Sequence, residues 1–216
     1  MHQRIITFTL LVGIGCGLTV LAAGASSWRL TGNHRGYAPA QPIAYSHRLH
    51  AGELGIDCKF CHSSAEHGRH AGIPSADVCL KCHKYVTSSY DLLRQELTRA
   101  DKEQRKPNII ISENLKPLYA ALKLDDPKQP VTNLQAGIAW SRVHNLPDYV
   151  AFDHRAHVSA GVSCQACHGP VEAMERVRQI EDLSMGWCVN CHRDATKHGI
   201  QGKRVHASID CSTCHY

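Results

Sequence analysis

Aromatic side chains are scarce in this sequence, at 6% of 216 residues, with three Phe, three Trp and seven Tyr. The length leaves room for one or two domains, but so few large apolar side chains would make only a thin core. An ordinary all-protein interior is therefore not expected. Methionine is as rare, being confined to Met1, Met174 and Met185. Long apolar runs are almost as sparse. "IITFTLLVGIGCGLTVLAAGA", from Ile5 to Ala25, is the one charge-free stretch of membrane-spanning length, so a single pass is the expectation. No Cys-x-x-Cys-Lys pentapeptide occurs either.

Cysteine is abundant. Ten of the eleven cysteines fall into five Cys-x-x-Cys-His units: Cys58, Cys61 and His62; Cys79, Cys82 and His83; Cys164, Cys167 and His168; Cys188, Cys191 and His192; Cys211, Cys214 and His215. A redox dithiol needs one such cysteine pair on a βαβ scaffold and no histidine after it. Structural zinc needs four ligands from paired knuckles, and an odd number of units leaves one without a partner. Covalent haem c explains every residue of the pattern. The two thiols add to the porphyrin vinyl groups, and the histidine binds the iron. Five haems would supply the apolar core that the side chains lack. The expected fold is mostly α with long loops wrapped around the haems, a multihaem cytochrome c with one amino-terminal transmembrane helix.

The formal charge of +5 is not a sign of nucleic-acid binding, because ten ionised propionates would add roughly −10. The holoprotein would be net acidic.

Sixteen histidines are present, five of them in the units. A low-spin electron-transfer haem needs a second axial ligand, and three methionines cannot serve five irons. Bis-histidine ligation is expected throughout, with lower potentials than a His/Met pair gives. The first choices are His47, His50, His154 and His157, because each His-x-x-His lies just ahead of a haem unit. His144 is the choice for the fifth iron, with His206 next and His67 and His70 remaining candidates. His2, His34 and His198 are expected at the surface, and Met185 is expected to pack. With every iron closed, no coordination position would be open to a substrate.

The Ile5–Ala25 run would form a helix about 31 Å long, enough to cross a bilayer core. The short positive leader with Arg4 ahead of the run predicts a cytoplasmic amino terminus and an exported remainder, and Trp28 and Arg29 follow the run. A retained anchor over 1–28 is favoured. The competing reading is a cleaved signal peptide, for which Ala23 and Ala25 offer small residues. Cys16 is expected to be a small buried residue in the span rather than a lipidation site. A Gly- and Pro-rich linker over 29–42 then leads to a periplasmic haem domain over 43–216. That domain divides into two haem units in 43–84, a haem-free insertion over 85–139 and three units in 140–216. "YSHRLHAGELGIDCKFCH" from Tyr45 and "FDHRAHVSAGVSCQACH" from Phe152 share one pattern, an aromatic residue, His-x-x-His and Cys-x-x-Cys-His, which predicts an internal repeat. Within the insertion, Ser88 or Ser89 should cap a helix through "YDLLRQELTRADKEQ". "NIIISENL" reads as a short strand or extended segment, and "LKPLYAALKLDD" as one or two helical turns. A helix is also expected in "PVEAMERVRQIEDL".

"SHRLHAGELGIDCKFCH", "VHNLPDYVAFDHRAHVSAGVSCQACHGPVEAM" and "LSMGWCVNCHR", together with the single anchor, resemble the pentahaem membrane-anchored cytochrome c subunit of bacterial alternative complex III, a quinol:electron-acceptor oxidoreductase. The resemblance implies haem packing of the c3/c7 kind and an electron-transfer subunit rather than an enzyme on its own. Its implied partners are an iron–sulfur subunit, polytopic quinol-binding membrane subunits and a monohaem cytochrome c subunit, with electrons passing on to a cytochrome c or a terminal oxidase. By likeness to c3 cytochromes, His47 would serve the iron of His62 and His154 that of His168, while His50 and His157 would serve neighbouring irons. Two other readings remain: a membrane-anchored quinol dehydrogenase of the NapC/NirT kind, which needs one labile haem ligand, and a catalytic multihaem reductase, which needs an open iron.

Overall fold

A computed structural model describes residues 2–25, 34–131 and 137–216. The expected flanking Trp28 and Arg29, and linker residues 29–33, lie outside the described residues.

Helix α1 (His2–Ala25) carries the apolar run. Among the described residues it is the one helix long and apolar enough, by length and composition, to cross a membrane. Its large side chains are exposed on every side, with Phe8 at 68% and Val20 at 72%. The hydroxyls of Thr7 and Thr19 donate back to the carbonyls of Gln3 at 2.9 Å and Gly15 at 3.1 Å. Such return bonds satisfy hydroxyls where water is absent.

The rest is short helices and long connections, and no named strand occurs among the described residues. Each Cys-x-x-Cys-His unit lies on a helical turn, in α2 (Cys58–Cys61), α3 (Ala76–His83), α7 (Gln165–His168, entered from Cys164), α8 (Met185–His198) and α9 (Cys211–Cys214). The reason is geometric. Residues three apart share a helix face, so both thiols of a unit emerge on one side with the histidine one residue further. The turn closes with His62 N donating to Cys58 O at 2.9 Å, His168 N to Cys164 O at 3.0 Å and His215 N to Cys211 O at 2.9 Å.

The insertion folds as the spacing predicts in part. Ser89 caps α4 (Tyr90–Lys102) by accepting from Leu92 N. The "NIII" stretch runs extended without forming a strand, and α5 (Lys116–Ala121) follows one 3-10 turn. This segment builds the principal side-chain core: Leu118, Tyr119, Leu122 and Leu124 close over Ala76 and Leu80 of α3 and over Ile43. Tyr119 Oη donates to His83 O at 2.6 Å. Beneath α4, the buried Glu96 carboxylate accepts from Arg105 Nη1 at 2.7 Å and Asn108 N at 2.8 Å.

The helix expected in "PVEAMERVRQIEDL" is a correction. Only Val171–Ala173 makes a 3-10 turn. The backbone groups beyond it are used elsewhere: Met174 O accepts from Arg48 N at 2.9 Å, and Gln179 exchanges bonds with residues 36 and 37. The Gln179 side chain is fully buried, accepting from Asn145 N and donating to Glu181 O. Tertiary partners outweigh helix propensity here.

These links tie residues 43–84 to residues 140–216. Ser46 Oγ donates to Glu175 Oε2 at 2.7 Å, and His154 N donates to Arg69 O at 3.1 Å. Over 140–216, Met174 and Ala195 are the buried apolar side chains among the described residues. The chain exposes 15645 Å², against roughly 9,900 Å² expected of a compact monomer of its mass. The free-standing α1 supplies part of that excess, and the remainder lies where side chains leave the interior unfilled.

Candidate functional site

Among the described residues, no three His, Cys, Asp or Glu side chains converge to enclose a bare metal ion. The histidines instead meet in pairs. His47 faces His62 with ring centroids 6.5 Å apart and planes 4° from parallel; His154 faces His168 at 6.3 Å and 9°. His50 lies 6.1 Å from His83, and His157 lies 6.0 Å from His192. Two imidazoles on opposite sides of one iron, each with a metal–nitrogen bond of about 2 Å, would have centroids about 6.3 Å apart. The four pairs fit that separation and are too widely spaced for direct contact.

Tautomers agree with this use. A ring nitrogen bonded to a carbonyl must carry the proton, which leaves the other nitrogen's lone pair for a metal. Nδ1 donates to a backbone carbonyl in His62 (Gly72, 2.6 Å), His83 (Val86, 2.8 Å) and His192 (Ser208, 2.6 Å). The same holds for His50 (Ser46, 2.8 Å), His154 (Arg69, 2.7 Å) and His157 (Asp153, 2.9 Å). In all six, Nε2 is left for the iron. His47 Nδ1 is buried without a partner. Burial, then His62 and His50, brings His47 down to about 4. Burial, then His144, His154 and His62, brings His168 down to about 4. Both rings are held neutral, the form a metal requires.

The sequence repeat is a structural repeat. Tyr45 stacks on His50 at 4.4 Å and meets His47 edge-on at 4.8 Å. Phe152 stacks on His157 at 4.6 Å and meets His154 edge-on at 4.9 Å. Each aromatic residue therefore orients both rings of its His-x-x-His. Sequence reading found these residues only as repeat markers; their ring-positioning role needed coordinates.

The units also neighbour one another. The Cys58 thiol is raised by burial and then by the nearby Cys164. Cys61 is raised by burial and then by Cys82, and burial, with Cys191 and Cys188 next, pushes Cys167 up to about 11. Burial and then Cys214 raise Cys188. The neighbour relations run from Cys79–His83 through Cys58–His62, Cys164–His168 and Cys188–His192 to Cys211–His215.

The ring of His144 meets His168 at 4.3 Å and 76°, with Nε2 buried and unpartnered. The segment is anchored there by the bond from Asn145 N to buried Gln179. His67 and His70 are exposed on the loop after α2, and His206 is exposed ahead of α9.

Comparison with known proteins agrees with this geometry. Residues 150–216 match the family model for cytochrome c7 and related cytochrome c. The chain is 26% identical over 195 residues, 81% of its length, to the "Menaquinone reductase, multiheme cytochrome c subunit" of Nitratidesulfovibrio vulgaris, covering 76% of that protein. A cytochrome c match implies covalent haem c. The chain is thus mostly helical, with one apolar amino-terminal helix and a cytochrome c7-like domain at its carboxyl end.

Proposed function

We propose that this chain is the electron-relaying multihaem cytochrome subunit of a quinone-linked membrane complex, anchored by α1 and carrying five covalent haem c groups outside the cytoplasm. The four imidazole pairs at 6.0–6.5 Å carry the reading. Bound haem c supplies a one-electron iron couple at each unit. Cys58, Cys61, Cys79, Cys82, Cys164, Cys167, Cys188, Cys191, Cys211 and Cys214 hold the porphyrins. His62, His83, His168, His192 and His215 bind the irons from the motif side, and His47, His50, His154 and His157 close four of them. Tyr45 and Phe152 fix the rings that do so. The proximity of cysteines in successive units supports a linear relay with the Cys79 and Cys211 units at its ends.

The complex itself is proposed to be of the alternative complex III kind, with iron–sulfur, polytopic quinol-binding and monohaem cytochrome partners, passing electrons from quinol to a cytochrome c or terminal oxidase. The relative's name gives the opposite direction, into menaquinone, so direction is the point to test. Purification of the intact chain in mild detergent should give five haems by pyridine haemochrome, and mass spectrometry should identify the partner subunits alongside it. The assembly should oxidise menaquinol. Menaquinone reduction without quinol oxidation would overturn the alternative complex III assignment, and absence of covalent haem would overturn the relay.

A further inference from the structure

We infer, building on the haem reading above, that residues 69–72 form one positioning element shared by two haem irons. Carbonyls of this loop orient His62 and His154 together, so that the Cys58–His62 and Cys164–His168 units are tuned as a matched pair.

The two acceptors lie three residues apart. His62 Nδ1 donates to Gly72 O at 2.6 Å, and His154 Nδ1 donates to Arg69 O at 2.7 Å. Arg69 O also accepts from His154 N at 3.1 Å, which fixes the backbone of that residue as well as its ring. The rings belong to different pairs, His62 facing His47 and His154 facing His168, and in both pairs the planes are near-parallel, at 4° and 9°. The other two pairs, His50–His83 and His157–His192, are tilted by 59° and 43°. Their four rings bond to carbonyls on four separate segments, those of Ser46, Val86, Asp153 and Ser208.

The loop is held from both sides. Gly68 N donates to Ser64 O at 2.7 Å, and Gly72 turns the chain with φ +74°, a conformation that suits glycine. The Arg69 guanidinium reaches the second repeat, Nε donating to Phe152 O at 3.3 Å and Nη2 to Tyr216 Oη at 3.0 Å. Phe152 lies two residues ahead of His154, so the side chain and the carbonyl of one arginine grip the same segment. A bond from Nδ1 to a carbonyl fixes the ring plane and raises the basicity of Nε2, which favours the ferric state of a bound iron. Both effects act at two neighbouring units through one short loop.

The test is EPR and spectropotentiometry of the full-length haem-loaded protein in mild detergent. Near-parallel imidazole planes act on the same iron d orbital and give a rhombic low-spin signal, whereas strongly crossed planes give a single large-g line. Cys58→Ser/Cys61→Ser and Cys164→Ser/Cys167→Ser should each remove one rhombic signal, which assigns the two. Arg69→Ala should then shift both assigned signals together and raise the midpoint potentials of those two haems, with five haems retained and the large-g lines unmoved. Arg69→Lys, which keeps a donor for Phe152 O, should shift them less. Gly72→Ala, which forces a side chain into the left-handed region, should move the same two signals, that of the Cys58 unit more. Unchanged signals in Arg69→Ala and Gly72→Ala, a shift confined to one of the two haems, or equal shifts at all five would overturn this inference while leaving the relay standing. So would loss of covalent haem in Arg69→Ala, because a positioning role leaves attachment intact. An unsubstituted chain without covalent haem would instead refute the reading beneath it.

Discussion

Tyr45 lies against His50 with ring centroids 4.4 Å apart and planes within 23°, while its edge meets His47. One side chain therefore orients two rings that face different units. The phenol adds little to this, because Phe152 makes the same contacts in the second repeat. Burial pushes the Tyr45 hydroxyl up to about 12, so it stays protonated. Tyr45→Phe should leave the EPR spectrum unchanged. Tyr45→Ala removes about 0.5–1.5 kcal/mol of ring contact per partner and should broaden or shift the signals of two haems together. An effect confined to one haem would show that the ring does not serve both.

Much of this was legible in the sequence. The five units, the paired His-x-x-His and the repeat all depend on local spacing, and a helical turn converts that spacing directly into geometry. His144 shows the limit. It lies upstream of a unit as the other candidates do, but its position depends on Asn145 binding a glutamine 34 residues away. The non-helical course of residues 174–183 escaped notice for the same reason, since its apolar spacing suits a helix but its backbone partners come from residues 36, 37 and 48. The insertion's role as the main side-chain core also rests on long-range packing.

Leu118 tests that core. It is 2% exposed and packs with Tyr119, Leu122 and Leu124 over α3. Leu118→Ala should cost about 2–5 kcal/mol. Because the cavity lies beside the Cys79 unit alone, limited proteolysis should accelerate within residues 85–131 while haem content is unchanged. Equal acceleration across residues 150–216 would mean the two regions share one cooperative unit.

The Glu96 carboxylate is held at about 2 by its hydrogen bonds from Arg105 and Asn108. A carboxyl whose folded value lies below its unfolded value stabilises the fold above the unfolded value and loses that contribution on acidification. The insertion should therefore loosen as pH falls from about 4.5 towards 2, read as peptide release by pepsin. Glu96→Gln should remove this pH dependence and leave the insertion more cleavable at pH 5. Persistence of the same pH profile in Glu96→Gln would assign it to another group.

Cys58 and Cys164 lie near one another across the boundary between the two repeats, which makes the Cys164–His168 unit the centre of the neighbour series. Two units lie on either side of it. Cys164→Ser/Cys167→Ser should lower the haem count from five to four and, more informatively, divide the remaining haems into two groups of two. Electron tunnelling falls steeply with distance, and no other unit neighbours both sides. With a reductant that enters at one end, stopped-flow absorbance should change from one fast phase to a fast half and a slow half. The corresponding change at either end, Cys79→Ser/Cys82→Ser or Cys211→Ser/Cys214→Ser, should leave the surviving four as one connected group with a single fast phase. A single phase in the central variant would show that the units are bridged by a route other than the neighbour series. Biphasic behaviour in an end variant would show that the order itself is wrong.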